Sequence, residues 1–415
     1  MTPRVSVFTP SHDPRYLDEC YASLDAQTMS DWEWVVLLNG GAQWKRPDDE
    51  RVIVRSATVT GVGALKARAC EMARGELLVE LDHDDVLATT ALAQVVAAFD
   101  DHPEVGFVYS DCAQINADGS RNDDRFDEAN GWVYYETEVD GREVQAVTAL
   151  EPSPHNLAYI WYAPNHVRAF RREVYDDVGG YDTTRDILDD QDLMARLYQA
   201  TRFWHIPECL YLQRVGHGGN TQSQSDTNAR IQTETVALYD ATIQPNALAW
   251  AAREGLVALD LGGAHNCPEG YVPVDIALSG EDVFETLAGY EDGEVGVVRA
   301  VDFLEHVADS VALLNEIHRV LAHGGLLLSL TPSTDGRGAW MDPTHTAFYN
   351  ENSWWYWTNA EYSKYVPAIK GRFQSSRCFT FFPSAWHFEN RISYVCANMI
   401  ALKPGGARQG GYSLA

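Results

Sequence analysis

Between Gly75 and Asp85 the chain reads Gly-Glu-Leu-Leu-Val-Glu-Leu-Asp-His-Asp-Asp, an apolar run that ends in three carboxylates within four residues. Packing Asp82, Asp84 and Asp85 so closely raises their mutual repulsion unless a proton or a cation relieves it. A hard divalent ion, Mg2+ or Mn2+, suits such a group, because it takes oxygen ligands and leaves positions open for a diphosphate. The same residues also read as an acidic strand-to-helix turn in which Asp84 or Asp85 only caps a helix starting near Ala88. Taken alone, the segment leaves the two readings level.

The elements that must carry these acids alternate β-rich and helical patterns. Val5 to Thr9, Glu33 to Leu38, Arg51 to Arg55, Leu77 to Leu81 and Val105 to Ser110 read as strands. Tyr16 to Gln27, Gly63 to Arg74 and Ala88 to Phe99 read as helices between them. This alternation predicts an α/β fold with a mostly parallel sheet, whose ligands lie off the carboxyl ends of the strands. Residues 121–151 are acidic and turn-rich, and read equally as a surface hairpin or as a loop beside an acceptor pocket. Regular structure resumes near Ala158 and is expected to run to a helix ending near Ala241. A second strand-to-glycine turn, Leu259-Asp260-Leu261-Gly262-Gly263, opens a further α/β pattern. The expected division is 1–246, 247–403 and a flexible tail over 404–415.

Several ordered blocks carry a resemblance. Phe8-Thr9-Pro10-Ser11-His12, Trp34 to Gly40, Gly75-Glu76 ahead of Leu81-Asp82-His83-Asp84-Asp85, Val178-Gly179-Gly180-Tyr181-Asp182, Asp189-Asp190-Gln191-Asp192 and Tyr211-Leu212-Gln213-Arg214 with His217 together resemble family 2 glycosyltransferases of GT-A fold, over roughly residues 4 to 222. The resemblance implies that Asp82 contacts the nucleotide ribose and Asp84 the metal, with Asp85 supporting. It makes Asp190 the base that deprotonates an acceptor hydroxyl, in a single displacement that inverts the sugar. It puts His217 near the metal, Arg214 against phosphate charge, and Thr9 and Pro10 at the nucleobase. Lys66 falls where relatives turn an arginine toward the diphosphate, although a solvated surface lysine is nearly as good a reading. Asn39 stands where relatives commonly have an aspartate, so a UDP-sugar donor is expected with less force than the fold. Asn165, His166 and Arg168 either line the acceptor side or hold the loop around Asp190. Trp132, Trp161 and Tyr162 stack on a sugar or simply pack.

The C-terminal half resembles class I methyltransferases that use S-adenosylmethionine, through Leu259 to Gly263, Val274-Asp275, Phe303-Leu304-Glu305-His306 and Glu316 to Leu321 ahead of Gly324-Gly325. The resemblance implies a Rossmann-like domain in which Gly262 and Gly263 form the cofactor turn and Asp275 holds its ribose. Ala264 replaces a usual glycine, which leaves an active methyltransferase and a retained scaffold equally open. Asp342-Pro343-Thr344-His345 and the aromatic run Trp354 to Trp357 frame a pocket or a core, with His345 a conceivable base.

The 415 residues exceed one core, and 45% hydrophobic content fills two. A formal charge of −29 repels phosphate backbones and so argues against nucleic acid as a partner. Seven scattered cysteines without a Cys-x-x-Cys pair suggest reduced thiols and a cytoplasmic protein. No apolar stretch reaches the roughly 20 residues that a membrane span needs, so no integral membrane segment is expected. The expected partners are a nucleotide-sugar and a glycan or protein acceptor, with the oligomeric state left open. The enzyme reading is a metal-dependent hexosyl transfer, with methylation of the product as a second step. Two others stand beside it: a non-catalytic carbohydrate-binding or assembly protein, and a methyltransferase whose first domain binds a glycan.

Overall fold

The computed structural model describes residues 2–126, 131–159, 163–216 and 225–410. The chain divides into two compact units, Met1–Thr242 and Ile243–Ala415. The division falls inside the helix Ser225–Arg253, which continues through Pro245. The expected helix end near Ala241 is therefore corrected to Arg253.

In the first unit, the strands β1 (Val5–Ser11), β2 (Trp32–Leu38), β3 (Val52–Ser56) and β4 (Leu77–Glu80) form the parallel block β3-β2-β1-β4. Strands β1 and β2 are buried almost throughout, as a sheet covered on both faces requires. Next come β5 (Val86–Leu87), β6 (Val105–Ile115), the hairpin β7 (Tyr134–Val139) and β8 (Arg142–Val147), β9 (Arg168–Arg171) and β10 (Arg202–Arg214). The sheet continues β4-β9-β6-β10-β5, with β8 paired to β6. Of the two readings of 121–151, the hairpin is the one observed.

The insertion of β9 between β4 and β6 positions the site. It runs antiparallel to both, with Glu80 opposite Arg168. A strand reversed in this way brings its amino end to the carboxyl end of β4, so Asn165, His166 and Arg168 arrive beside the acids that follow β4. Three helices bear on the site: α1 (Leu17–Asp25), α2 (Val62–Met72) and, after α3 (Ala91–Asp101) and the two short helices Pro154–Tyr159 and Arg172–Asp177, the helix Asp189–Ala200. Ala91 rather than Ala88 opens α3, and neither Asp84 nor Asp85 caps it.

The second unit holds β11 (Val257–Leu261), β12 (Val272–Val274), β13 (Val295–Val301), β14 (Leu321–Pro332), β15 (Arg372–Phe381) and β16 (Tyr394–Leu402), ordered β12-β11-β13-β14-β16-β15. The first four are parallel and the last two antiparallel. Leu313, Leu314, Ile317 and Val320 on one face of the helix Ser310–Val320 pack into a core with Leu259, Val298, Leu327 and Met399. The tail is anchored as far as it is described. Gln409 N donates to Gln374 Oε1 at 2.9 Å, and Gln374 Nε2 donates back to Gln409 O at 2.7 Å.

Candidate active site

A cleft in the first unit opens where Pro10 stands near the end of β1, and where Asn39 and Asp82 follow β2 and β4. Asp84, His166, Arg168, Asp189, Asp190 and Lys66 complete its wall. Parallel strands that diverge in order around β1 leave such a crevice beyond their carboxyl ends.

The turn that carries the acids is tied down from below. Asp85 is buried, with Oδ2 accepting from Tyr211 Oη at 2.8 Å and Oδ1 from Arg214 N at 2.6 Å. Tyr211 Oη also accepts from Asp82 N at 3.1 Å. The Cys20 thiol lies 3.2 Å from Asp85 O and 3.3 Å from His83 O. Burial raises the Asp85 carboxyl far above its ordinary value, as do the charges of Asp84 and Asp82. Asp85 therefore supports the turn and the other two acids face the cleft. Asp82 keeps 38% of its side chain open. Its pKa is raised by burial and by Glu80 and Asp84, against the pull of His166 and Lys66. An oxygen-rich, electronegative wall of this kind fits a hard divalent cation.

A buried ion network underlies the acids. Lys66 Nζ lies 2.6 Å from Glu80 Oε1 and 2.9 Å from Asp189 Oδ2. Burial opposes its charge, but Asp189 and Glu80 outweigh that and hold its pKa well above the usual lysine value. Burial likewise opposes the Glu80 charge, and Lys66, His166 and Arg168 together hold the carboxyl well below its ordinary range. Asp189 is pushed up to about 6, chiefly by burial and despite Lys66. The reading of Lys66 as a solvated surface residue is corrected: it joins β4 to the helix Asp189–Ala200 beneath the cleft. A charged residue inside the apolar run Leu77–Leu81 was the signal that Glu80 needs a buried partner.

Asp190 sits one residue along, in the first turn of that helix, 2.5 Å from Arg168 Nη1. His166 stacks on Tyr211 with centroids 4.7 Å apart, and its Nε2 is 3.5 Å from Glu80 Oε2 and 4.0 Å from Asp82 Oδ2. Of the two roles weighed for 165–168, Arg168 plainly holds the Asp190 loop.

Two expectations are corrected in placement. Thr9 is fully buried, its Oγ1 donating to Leu81 O at 2.7 Å and accepting from Trp34 Nε1 at 2.8 Å, so Pro10 alone of that pair reaches the cleft. Arg214 borders the cleft, but its guanidinium is committed elsewhere: to Asp84 O at 2.8 Å, Ala117 O at 3.1 Å and Glu19 Oε2 at 2.6 Å, over the Tyr16 ring. It braces the acidic turn through its carbonyl. His217, Trp161 and Tyr162 lie outside the described residues, and Trp132 is buried.

In the second unit the turn after β11 is shaped by packing. Gly262 adopts φ +81°, and a Cβ there would meet the Phe303 ring at 2.8 Å. A Cβ on Gly263 would stand 2.2 Å from Asp260 Oδ2. Asp260 is buried and paired with Arg299 at 2.6 Å. Both glycines are thus required by the fold, whatever lies above them. Asp275 follows β12, accepts from Ala277 N at 2.8 Å as a helix cap and remains half-buried.

The first unit thus presents an acid-lined cleft, and the second a glycine turn after the first strand of its sheet. The family model "Glycosyl transferase family 2" matches residues 6–179, and the "Methyltransferase domain" model matches residues 263–329. The chain carries a family 2 glycosyltransferase domain fused to a methyltransferase domain. It is 30% identical over 247 residues to the O-antigen biosynthesis protein RfbC of Myxococcus xanthus, covering 57% of this chain and 17% of that protein. It is 25% identical over 228 residues to the chondroitin synthase of Pasteurella multocida, covering 53% of this chain and 21% of that synthase. The chain thus spans about a fifth of the length of the curated relatives it matches. Among solved structures it is similar to S. aureus TarS 1-349 in complex with UDP-GlcNAc, at 16% identity and TM-score 0.42, over 61% of this chain and 71% of that one. It is also similar to the mannosyltransferase PcManGT of Pyrobaculum calidifontis, at 16% identity and TM-score 0.35, over 70% of this chain and 81% of that one. Among the described residues no helix is long and apolar enough to cross a membrane.

Proposed function

We propose that the first unit is a GT-A glycosyltransferase that moves a sugar from a nucleotide-sugar, a UDP-sugar in the first instance, to a hydroxyl of a glycan or protein, with inversion. The observation that carries this reading is the convergence of Asp82, Asp84 and Asp190 on one cleft, although Asp190 is more than a hundred residues from the other two. Mn2+ or Mg2+ held at Asp84, when bound, neutralises charge growing on the departing diphosphate. Asp82 accepts from the ribose, and Pro10 and Asn39 border the base, where the asparagine amide offers both a donor and an acceptor. Asp190, steadied by Arg168, takes the proton of the acceptor hydroxyl. Similarity to an O-antigen biosynthesis protein and a chondroitin synthase supports a polysaccharide or a glycan as the acceptor.

For the second unit we propose methylation of that product, with S-adenosylmethionine across the turn at Gly262 and Gly263 and its ribose on Asp275. Two activities on one chain raise the effective concentration of the intermediate.

Nucleotide release from a panel of UDP- and GDP-sugars, with Mn2+ and with or without S-adenosylmethionine, tests both parts. The reading requires release that depends on the cation and falls by about 100-fold or more in Asp84→Asn and in Asp190→Asn. Release that survives both substitutions would sink it.

A further inference from the structure

The second unit contains a side-chain cluster that neither proposed reaction uses. Glu305 lies in the short turn Leu304–His306 after β13, and His345 comes from the loop after β14. One ligand atom each from Glu305, His306 and His345 can be chosen so that all three lie within 4.8 Å of one another. The two imidazoles meet edge to face, with centroids 5.0 Å apart.

The burial of Glu305 and the hydrogen bonds of the two imidazoles, of which His306 is exposed and His345 half-buried, distinguish this group from an ordinary surface cluster. Glu305 is only 2% exposed, yet among the described residues neither carboxylate oxygen has a hydrogen-bond partner on another side chain or segment. A buried carboxylate without donors is costly to hold ionised unless a proton or a cation offsets its charge, and a cation would find it ready to ligate. The fold has invested in its position, because Glu305 O accepts from Thr346 N at 2.8 Å and Ala347 N at 2.9 Å, which draws the loop bearing His345 onto the turn.

Both imidazoles are also set in the tautomer that a metal requires. His345 Nδ1 is 3.0 Å from Ala339 O, and a carbonyl can only accept, so Nδ1 carries the proton and Nε2 keeps its lone pair. Thr344 Oγ1 donates to Asp342 Oδ1 at 2.6 Å and therefore accepts from His306 Nδ1 at 3.0 Å, leaving His306 Nε2 basic as well. An outer carbonyl or hydroxyl that fixes the ring in this way is the usual support of a metal-bound histidine.

We infer that Glu305, His306 and His345 form a binding site for a divalent cation of intermediate softness, Zn2+ in the first instance. Two neutral nitrogens and one carboxylate suit zinc better than the all-oxygen ions expected in the first unit. Three protein ligands leave at least one position open for an oxygen of an incoming molecule. The Phe303 ring, two residues before Glu305, sits against Gly262, so the site adjoins the turn after β11. The inference does not rest on the sugar-transfer reading.

The test uses the full chain, stripped with a chelator and titrated with Zn2+ against a competing chromophoric chelator, and in parallel with Co2+ followed by its visible absorption. The wild type and Asp84→Asn should each bind one tight zinc and give the bands of nitrogen-ligated Co2+. His345→Gln and Glu305→Gln should bind zinc at least about tenfold more weakly and lose those bands, while His323→Gln changes neither. Glu305→Gln removes a buried charge, so the metal-free variant should melt no lower than the metal-free wild type, which separates ligand loss from unfolding. Equal zinc affinity in the wild type, His345→Gln and Glu305→Gln, or loss of the tight zinc in Asp84→Asn alone, would overturn the assignment.

Discussion

Arg168 Nη1 donates to Asp190 Oδ2 at 2.5 Å, across 22 residues of sequence, and the arginine is buried while the aspartate faces the cleft. The pair joins the reversed strand β9 to the helix Asp189–Ala200, so the proposed base is aimed by a residue that does not itself act on the acceptor. Arg168→Gln should lower kcat about 100-fold with little change in donor KM, because misplacing a reacting group by about 1 Å has that effect. Asp190→Asn should lose about 10² to 10⁴ of the rate with the fold intact. Steady-state kinetics with donor and acceptor varied separately checks both.

Lys66 neutralises two buried carboxylates at once. Lys66→Met strands Glu80 and Asp189 below the cleft and should cost about 3–5 kcal/mol of stability. The double variant Lys66→Met/Glu80→Gln should recover part of that loss, which urea midpoints at neutral pH would reveal. A surface lysine would show almost no effect.

His155 is fully buried in the helix Pro154–Tyr159, stacked on Tyr159, and burial pulls its pKa down to about 4. The unfolded chain takes up the proton near pH 6.5, so stability from the neutral ring is present above that value. It is lost as pH falls toward 4, by about 3 kcal/mol in all. Asp189, pushed up to about 6, acts in the opposite sense: its contribution is present below the unfolded aspartate value near 4 and lost as pH rises through 6. Urea unfolding of the wild type and His155→Phe from pH 4 to 7 isolates the histidine, since Asp189 contributes to both. The difference between the two curves should grow steadily toward acid.

Gly263 has no room for a methyl group, whose carbon would stand 2.2 Å from Asp260 Oδ2 and 2.8 Å from its Cγ. Gly263→Ala should destabilise the second unit by about 1–3 kcal/mol even without cofactor, since overpacking acts on the fold directly. Thermal melts without S-adenosylmethionine check this. An undisturbed melt would mean that Asp260 can swing aside.

The elements that repeat a local pattern were legible from the chain alone. Apolar runs such as Val5–Thr9 and Glu33–Leu38 announce buried strands, and Asp82 to Asp85 announces an acidic turn beyond one of them, because each depends on residues a few positions apart. The hairpin at Tyr134–Val147 stayed ambiguous, since its alternation is interrupted by charged residues. Some site assignments failed for a related reason. Thr9 and Arg214 stand at the right positions in the chain, but their polar atoms are taken by Trp34 and Leu81, and by backbone carbonyls around Ala117 and Asp84.

The sequence by itself determined two α/β patterns, the acidic turn after β4 and the glycine turn after β11, all of them properties of short contiguous stretches. Only the tertiary structure decided that β9 runs backward between β4 and β6, that Lys66 is buried between Glu80 and Asp189, that Arg168 holds Asp190, and that His345 meets Glu305. Each of these joins residues tens to more than a hundred positions apart. Which partners a buried charge finds depends on how the chain closes around it, and no local pattern records that closure.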